Sequence, residues 1–264
     1  MSPNTALYLA IALYALATLS ALAALVAKAP RLQRIALGFA MVGIVSHTIW
    51  IGTVCARTHH PPLTNLPEAS SFIAWTILAI QILLYFRFRV QAAAFFVYPL
   101  VLLLLLVTAI VQEPFAPMDP ELRSNVFTAH LLLTSVGVAA LLLGLAFMLL
   151  SRIQERSLKS KNRGALYEWI PSLKVCDVLS YRSLTIGFSI YTLGILAGIA
   201  WAYRTTAGRV TPGGKEIGAL VAWVLFAVLL QSYVSGSYRT NRSLVISAVA
   251  FIAIVVAILG IQHV

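Results

Sequence analysis

Five histidines are the residues of this chain best suited to chemistry: His47, His59, His60, His130 and His263. On the membrane topology that the basic residues imply, all five fall at or near one face, the outer one. His47 lies inside the second apolar segment, in its outer half. His130 stands at the outer start of the fifth segment, and His263 closes the eighth. His59 and His60 sit in the first outer loop, before Pro61 and Pro62. A histidine within a span is costly unless it meets a partner or lines a cavity, so it is a functional candidate by default. Neutral imidazole is the commonest metal ligand. Two histidines on different helices at one depth could hold a haem iron between them. Each residue also has an ordinary reading. His47 could simply hydrogen-bond a neighbouring helix, His130 and His263 could be plain interface residues, and the His59–His60 pair reads most simply as a solvated turn.

Other chemistry is thin. The chain has no P-loop, HExxH or GxSxG pattern. Only eight residues are acidic. None sits at a span centre, and Glu68 and Glu216 lie near segment starts on the outer side, which weakens an ion-coupled transporter. Cys55 and Cys176 fall on opposite sides of the bilayer in this topology, so a two-cysteine redox or metal site within one chain is not expected. Trp50, Trp75, Trp201, Tyr203 and Trp223 fit an aromatic belt at the membrane interfaces. The same rings could also wall a flat macrocycle.

The elements that must position these residues follow from composition. The chain has 264 residues, of which 60% are hydrophobic and 10% charged, and its mean hydropathy is +0.91. Soluble domains are about 45–50% apolar and about 25% charged. A chain this apolar is excluded as a cytosolic globular enzyme, a disordered protein or a disulfide-stapled secreted domain. A transmembrane helix needs about 20 apolar residues. Apolar runs near 5–27, 35–55, 69–86, 92–111, 125–150, 183–203, 216–235 and 243–262 predict an all-α polytopic membrane bundle of about eight transmembrane helices, forming one integral membrane domain over 1–264. The first run exceeds a signal-peptide core and follows no basic residue, so it reads as a retained helix. The pairs Gly137 and Gly144, and Gly194 and Gly198, mark expected close helix contacts.

Charge sets the orientation. Fourteen of the 19 Lys and Arg follow segments 1, 3, 5 and 7, and five lie on the other side. The positive-inside rule then places both termini outside. It also accounts for the net charge of +11 without nucleic acid. Residues 152–182 form the one sizeable basic cytoplasmic segment, which is either a linker or a docking surface. The expected home is a bacterial inner (plasma) membrane, crossed several times.

Four stretches in order resemble the haem-handling membrane proteins of the cytochrome c assembly superfamily, which includes CcsA, CcmC and HemX-type proteins. Residues 64–75 (TNLPEASSFIAW) resemble that family's helix opening with Asn, Glu, Ser, Phe and Trp. Thr128-Ala129-His130-Leu131, with Ser135, Ala139 and Gly144, is similar to its helix that begins with an outer-face histidine. Leu179-Ser180-Tyr181-Arg182, then Gly187-Phe188 and the run from Thr192 to Ala202, resembles the stretch leading into a tryptophan-rich loop. Lys215-Glu216, Ala219-Leu220 and Trp223 resemble the segment on the far side of that loop. The resemblance covers roughly residues 40–264.

The resemblance implies a fold and a site. His130 and His263 would be the axial ligands of a b-type haem beneath the outer loop, cradled by the region of Trp201 and Trp223. His47 would help hold haem within the bilayer as a possible second site. Arg204, Arg209 and Lys215, with Glu216 beside them, would stand near the haem propionates, since cationic donors suit carboxylates. The loop 202–214 has no tryptophan, and Gly213-Gly214 stands where the CcsA type has Asp-Pro. Gln231 stands where that type has an intramembrane histidine. These departures move the resemblance toward the HemX-type branch. The expected function is to hold or pass haem in cytochrome c assembly, as a component of an assembly system and not as an enzyme in its own right. Its partners would be haem, the lipid bilayer and cytochrome c assembly proteins. One alternative is a HemX-type membrane regulator of glutamyl-tRNA reductase in tetrapyrrole synthesis, docking through 152–182. Another is a permease for a different hydrophobic solute.

Overall fold

The computed structural model describes residues 3–63, 65–111, 124–160, 167–205 and 213–259. Among them are eight helices and no β-strand: α1 (Pro3–Ala27), α2 (Pro30–Thr58), α3 (Leu66–Phe88), α4 (Ala94–Ile110), α5 (Asn125–Ser160), α6 (Leu173–Thr205), α7 (Gly214–Val234) and α8 (Asn241–Leu259). Helices are what such a chain must form in lipid, because each backbone N–H and C=O then finds its partner within the segment. Six of them are long and apolar enough to cross a membrane, while the apolar stretches Ala94–Ile110 and Asn241–Val256 are shorter. The all-α, multi-span architecture expected from the apolar runs is therefore what the chain adopts. The fifth helix has 36 residues, or about 54 Å at 1.5 Å per residue, against a hydrocarbon core of about 30 Å.

Helix boundaries follow local chemistry. Pro30 opens α2, where its missing N–H costs nothing. Asn65 caps α3, its Oδ1 accepting from the Glu68 N–H at 2.9 Å. At the far ends, His59 closes α2 and Arg89 closes α3 in left-handed conformations, with φ of 57° and 55°.

Consecutive helices pair as antiparallel hairpins, α1 on α2, α3 on α4, α5 on α6 and α7 on α8, with α1 also against α4 and α3 against α5. The α5–α6 seam is the tightest. A Cβ on Gly137 would stand 2.7 Å from the Tyr191 nitrogen, and one on Gly187 would stand 2.8 Å from the Leu141 nitrogen. Such distances are shorter than side chains tolerate, so the backbones meet because those positions are glycine. Ser180 Oγ donates to the Gly144 carbonyl across the seam at 2.9 Å and lies 2.7 Å from the Tyr233 hydroxyl of α7.

Outer and inner name the two ends of the bundle as the charge asymmetry assigns them. A polar knot ties the inner end. Asp177 of α6 accepts from Ser151 of α5, from Tyr238 at 3.0 Å and from Arg239. Arg152 donates to Glu155 at 2.7 Å and to the Arg239 carbonyl. The α7–α8 turn is thereby fastened to both α5 and α6. Burial, and then the bond to Asp177, pushes the Tyr238 hydroxyl above its ordinary range.

Candidate functional site

His130 sits in the second turn of α5, near its outer end. Its Nδ1 lies 2.8 Å from the Gly194 carbonyl oxygen on α6. Phe127, one turn earlier, places its ring 6.3 Å from the imidazole and 4.6 Å from the Trp201 indole. Phe127, Leu131 and Leu63, with Phe72 and Trp201, form a small apolar cluster separate from the main core. Three helices build it: the approach to α3, the start of α5 and the end of α6. Among the described residues the buried Trp201 Nε1 has no hydrogen-bond partner, a state shared by the Trp50 and Trp169 indoles. Arg204, one turn further along α6, is exposed at the same end.

An imidazole, an aromatic wall, an unused indole N–H and a nearby cation match a flat apolar ring system that carries a metal at its centre and anionic groups at its edge. Among the described residues, no three His, Cys, Asp or Glu side chains gather to hold a bare metal ion. A macrocycle supplies its own equatorial donors and asks the protein only for axial ligands.

His47 is differently placed. It is fully buried between α1, α2 and α3. Its Nδ1 lies 3.2 Å from the Tyr14 hydroxyl and its Nε2 lies 2.7 Å from Ser71 Oγ. Gly43, one turn earlier on α2, leaves room for the Tyr14 ring, which an added Cβ would meet at 2.5 Å. Both ring nitrogens of His47 are thus engaged, and a bond to metal would require one hydroxyl to leave.

The remaining candidates scatter. Trp223 of α7 donates through Nε1 to Thr192 Oγ1 at 2.9 Å and packs on Phe188. It is a tie between α6 and α7, separate from the Phe127–Trp201 cluster. Glu216 accepts from the Gly213 N–H at 2.8 Å and so closes the first turn of α7. His263, Arg209 and the Lys215 side chain lie outside the described residues. His59 is exposed, whereas His60 is buried and donates from Nδ1 to the Pro61 carbonyl at 2.8 Å. That burial departs from the solvated turn expected for this pair, and nothing in the polar His-His-Pro-Pro run signals it. Trp201's unused donor and the Gly194 carbonyl are likewise invisible in sequence, because both depend on how α5 meets α6. A wide groove between α4, α5 and α8, lined by Phe96, Leu100, Leu145, Leu149 and Phe251 among others, is apolar and lies toward the inner half. None of its described lining residues is a histidine, cysteine or acid.

Residues 63–264 match the cytochrome C assembly protein family. The chain is similar to the cytochrome c biogenesis protein CcsA of Guillardia theta, 26% identical over 247 residues that cover 86% of this chain and 82% of that protein. It is also similar to CcsA of Gloeobacter violaceus, 25% identical over 310 residues, covering 97% and 90%. With CcsA of Mesostigma viride the identity is 25% over 229 residues, covering 78% and 75%. These relatives give no support to the nearer placement with the HemX-type branch, to a link with glutamyl-tRNA reductase or to a permease.

Proposed function

The chain belongs to the cytochrome c assembly protein family, and on that premise we propose that it holds or passes haem b at the outer face of a bacterial plasma membrane. One observation carries the reading: His130 is clamped to the Gly194 carbonyl beside the aromatic wall of Phe127 and Trp201. Haem, when bound, would supply an iron that takes imidazole nitrogens and propionates that take cationic donors. His130 offers an imidazole whose Nδ1 faces a carbonyl, so Nε2 is the nitrogen suited to an axial bond. The Phe127 and Trp201 rings present apolar surface and exclude water. The Trp201 N–H and the Arg204 guanidinium suit propionate oxygens, as would Arg209 and Lys215. Glu216 shapes the return of the outer loop into α7 through its bond to Gly213. His263 would be the second histidine to hold the iron. Trp223 supports the site indirectly by fixing α7 to α6, and His47 enters it only by giving up a hydroxyl partner. The protein acts as a carrier and works with other cytochrome c assembly proteins.

The test is an optical spectrum of the detergent-purified protein, as isolated and during haem titration. A low-spin spectrum weakened by both His130→Ala and His263→Ala is expected. A spectrum that neither change alters, or no spectrum at any haem concentration, overturns the reading. Sidedness is tested separately by thiol labelling in intact cells. A membrane-impermeant maleimide should reach the half-buried Cys55 at the outer end and spare the buried Cys176. Labelling of Cys55 only after the cells are permeabilised would invert the topology.

A further inference from the structure

We propose that Gly194 and Gly198 of α6 form a notch that sets the tautomer of His130, placing its proton on Nδ1 and leaving the lone pair on Nε2. The step from tautomer to iron ligation rests on the proposed haem function; the notch itself does not.

The argument starts from what each atom can do. A backbone carbonyl only accepts hydrogen bonds. The 2.8 Å contact between His130 Nδ1 and the Gly194 oxygen therefore puts the proton on Nδ1, and in the neutral ring Nε2 must then hold the lone pair. A free imidazole side chain favours the opposite tautomer, so the carbonyl works against the intrinsic preference. A helical carbonyl keeps a second lone pair after bonding within its own helix, but the side chain one turn ahead ordinarily covers it. The residue one turn ahead of Gly194 is Gly198, which has no side chain to cover it.

Space confirms the fit. A Cβ at Gly198 would stand 2.7 Å from His130 Nδ1, 2.8 Å from Cε1 and 3.3 Å from Cγ. All three nearest atoms belong to the imidazole. The other glycines of this seam differ. A Cβ at Gly137, Gly187 or Gly194 would meet backbone of the facing helix, at Tyr191, Leu141 or Thr134. Those three let the helices approach, whereas Gly198 admits a ring. A histidine that ligates a metal commonly donates its other N–H to a carbonyl, which fixes its orientation and raises its basicity as a ligand. The notch supplies that bond before any ligand arrives, and Gly194 and Gly198 act as positioning residues.

The experiment uses the full chain, labelled with 15N-histidine, purified in detergent and stripped of haem. The His130 imidazole signals are identified by their loss in His130→Gln. The expected result near neutral pH is a protonated Nδ1 and an unprotonated Nε2. In Gly198→Ala the ring should leave the notch and take the Nε2–H form. Haem affinity should fall about 10-fold to 100-fold, while the melting temperature stays near that of the parent. Gly187→Ala, whose methyl meets backbone, should instead lower the melting temperature. A parent protein whose His130 carries its proton on Nε2 overturns the proposal. So does a Gly198→Ala protein that keeps both the Nδ1–H form and full haem affinity. If Gly198→Ala fails to fold, the parent tautomer alone decides. An Nδ1–H tautomer in a protein that never binds haem leaves the notch standing and sinks the haem reading.

Discussion

His47 and His130 are both histidines in apolar helices, yet their surroundings treat them differently. His47 lies between two hydroxyls, Tyr14 and Ser71. A hydroxyl can donate or accept, so these partners satisfy either tautomer and consume both nitrogens. His130 faces a carbonyl on one side, and a carbonyl dictates where the proton sits. The first arrangement is adaptable and closed, and it suits a buried polar bridge holding three helices together. The second is directed, and it suits a ligand. Depth alone does not separate the two, since both lie toward the outer half of their helices, although His47 is fully buried and His130 only partly so. What separates them is whether the partner can switch roles.

That contrast can be broken or sharpened by substitution. The largest effect is expected at the directed site: His130→Ala should weaken the low-spin haem signal, while His47→Ala should leave it in place, both read by haem titration. Equal loss in the two proteins would erase the distinction. Next comes stability. His47→Ala removes the bridge and strands two hydroxyls, and it should cost about 2 kcal/mol in a denaturation series. A loss no larger than that of a surface change would show that the bridge contributes little. Tyr14→Phe removes one partner and keeps the ring that fills the space beside Gly43. It should cost only about 0.5–1 kcal/mol and leave haem binding unchanged. The smallest effect is expected at Lys28→Ala. Lys28 and Glu168 pair at 3.9 Å with both side chains more than half exposed, so the change should stay within about 0.5 kcal/mol on the same denaturation series.

Much of the architecture was legible because the membrane imposes a simple rule. A run such as 125–150 can only be helical in lipid, and its length shows at once. Gly137, Gly144, Gly194 and Gly198 stood out as small residues in long apolar helices, and the structure places all four on the α5–α6 seam. Gly187 belongs with them, but a lone glycine gives no spacing to read. The candidate site was only partly visible. His130 and Trp201 could be named from their types and their resemblance to a family pattern. The acceptor on Gly194 could not, since every residue carries a carbonyl and only the crossing of two helices selects one. The partners of His47 are 33 and 24 residues away, and no local pattern connects them. The inner knot of Ser151, Asp177, Tyr238 and Arg239 was hidden for the same reason. In sequence it reads as scattered loop charge.

The length of α5 has a mechanical consequence. One unbroken helix carries His130 near one end and Arg152 near the other, 22 residues apart, or about 33 Å along the axis. An α-helix is stiff along its axis, so it behaves as a push-rod. At the inner end of that rod Arg152 grips the turn between α7 and α8. The His130 site and the inner knot are thus strung on one continuous helix.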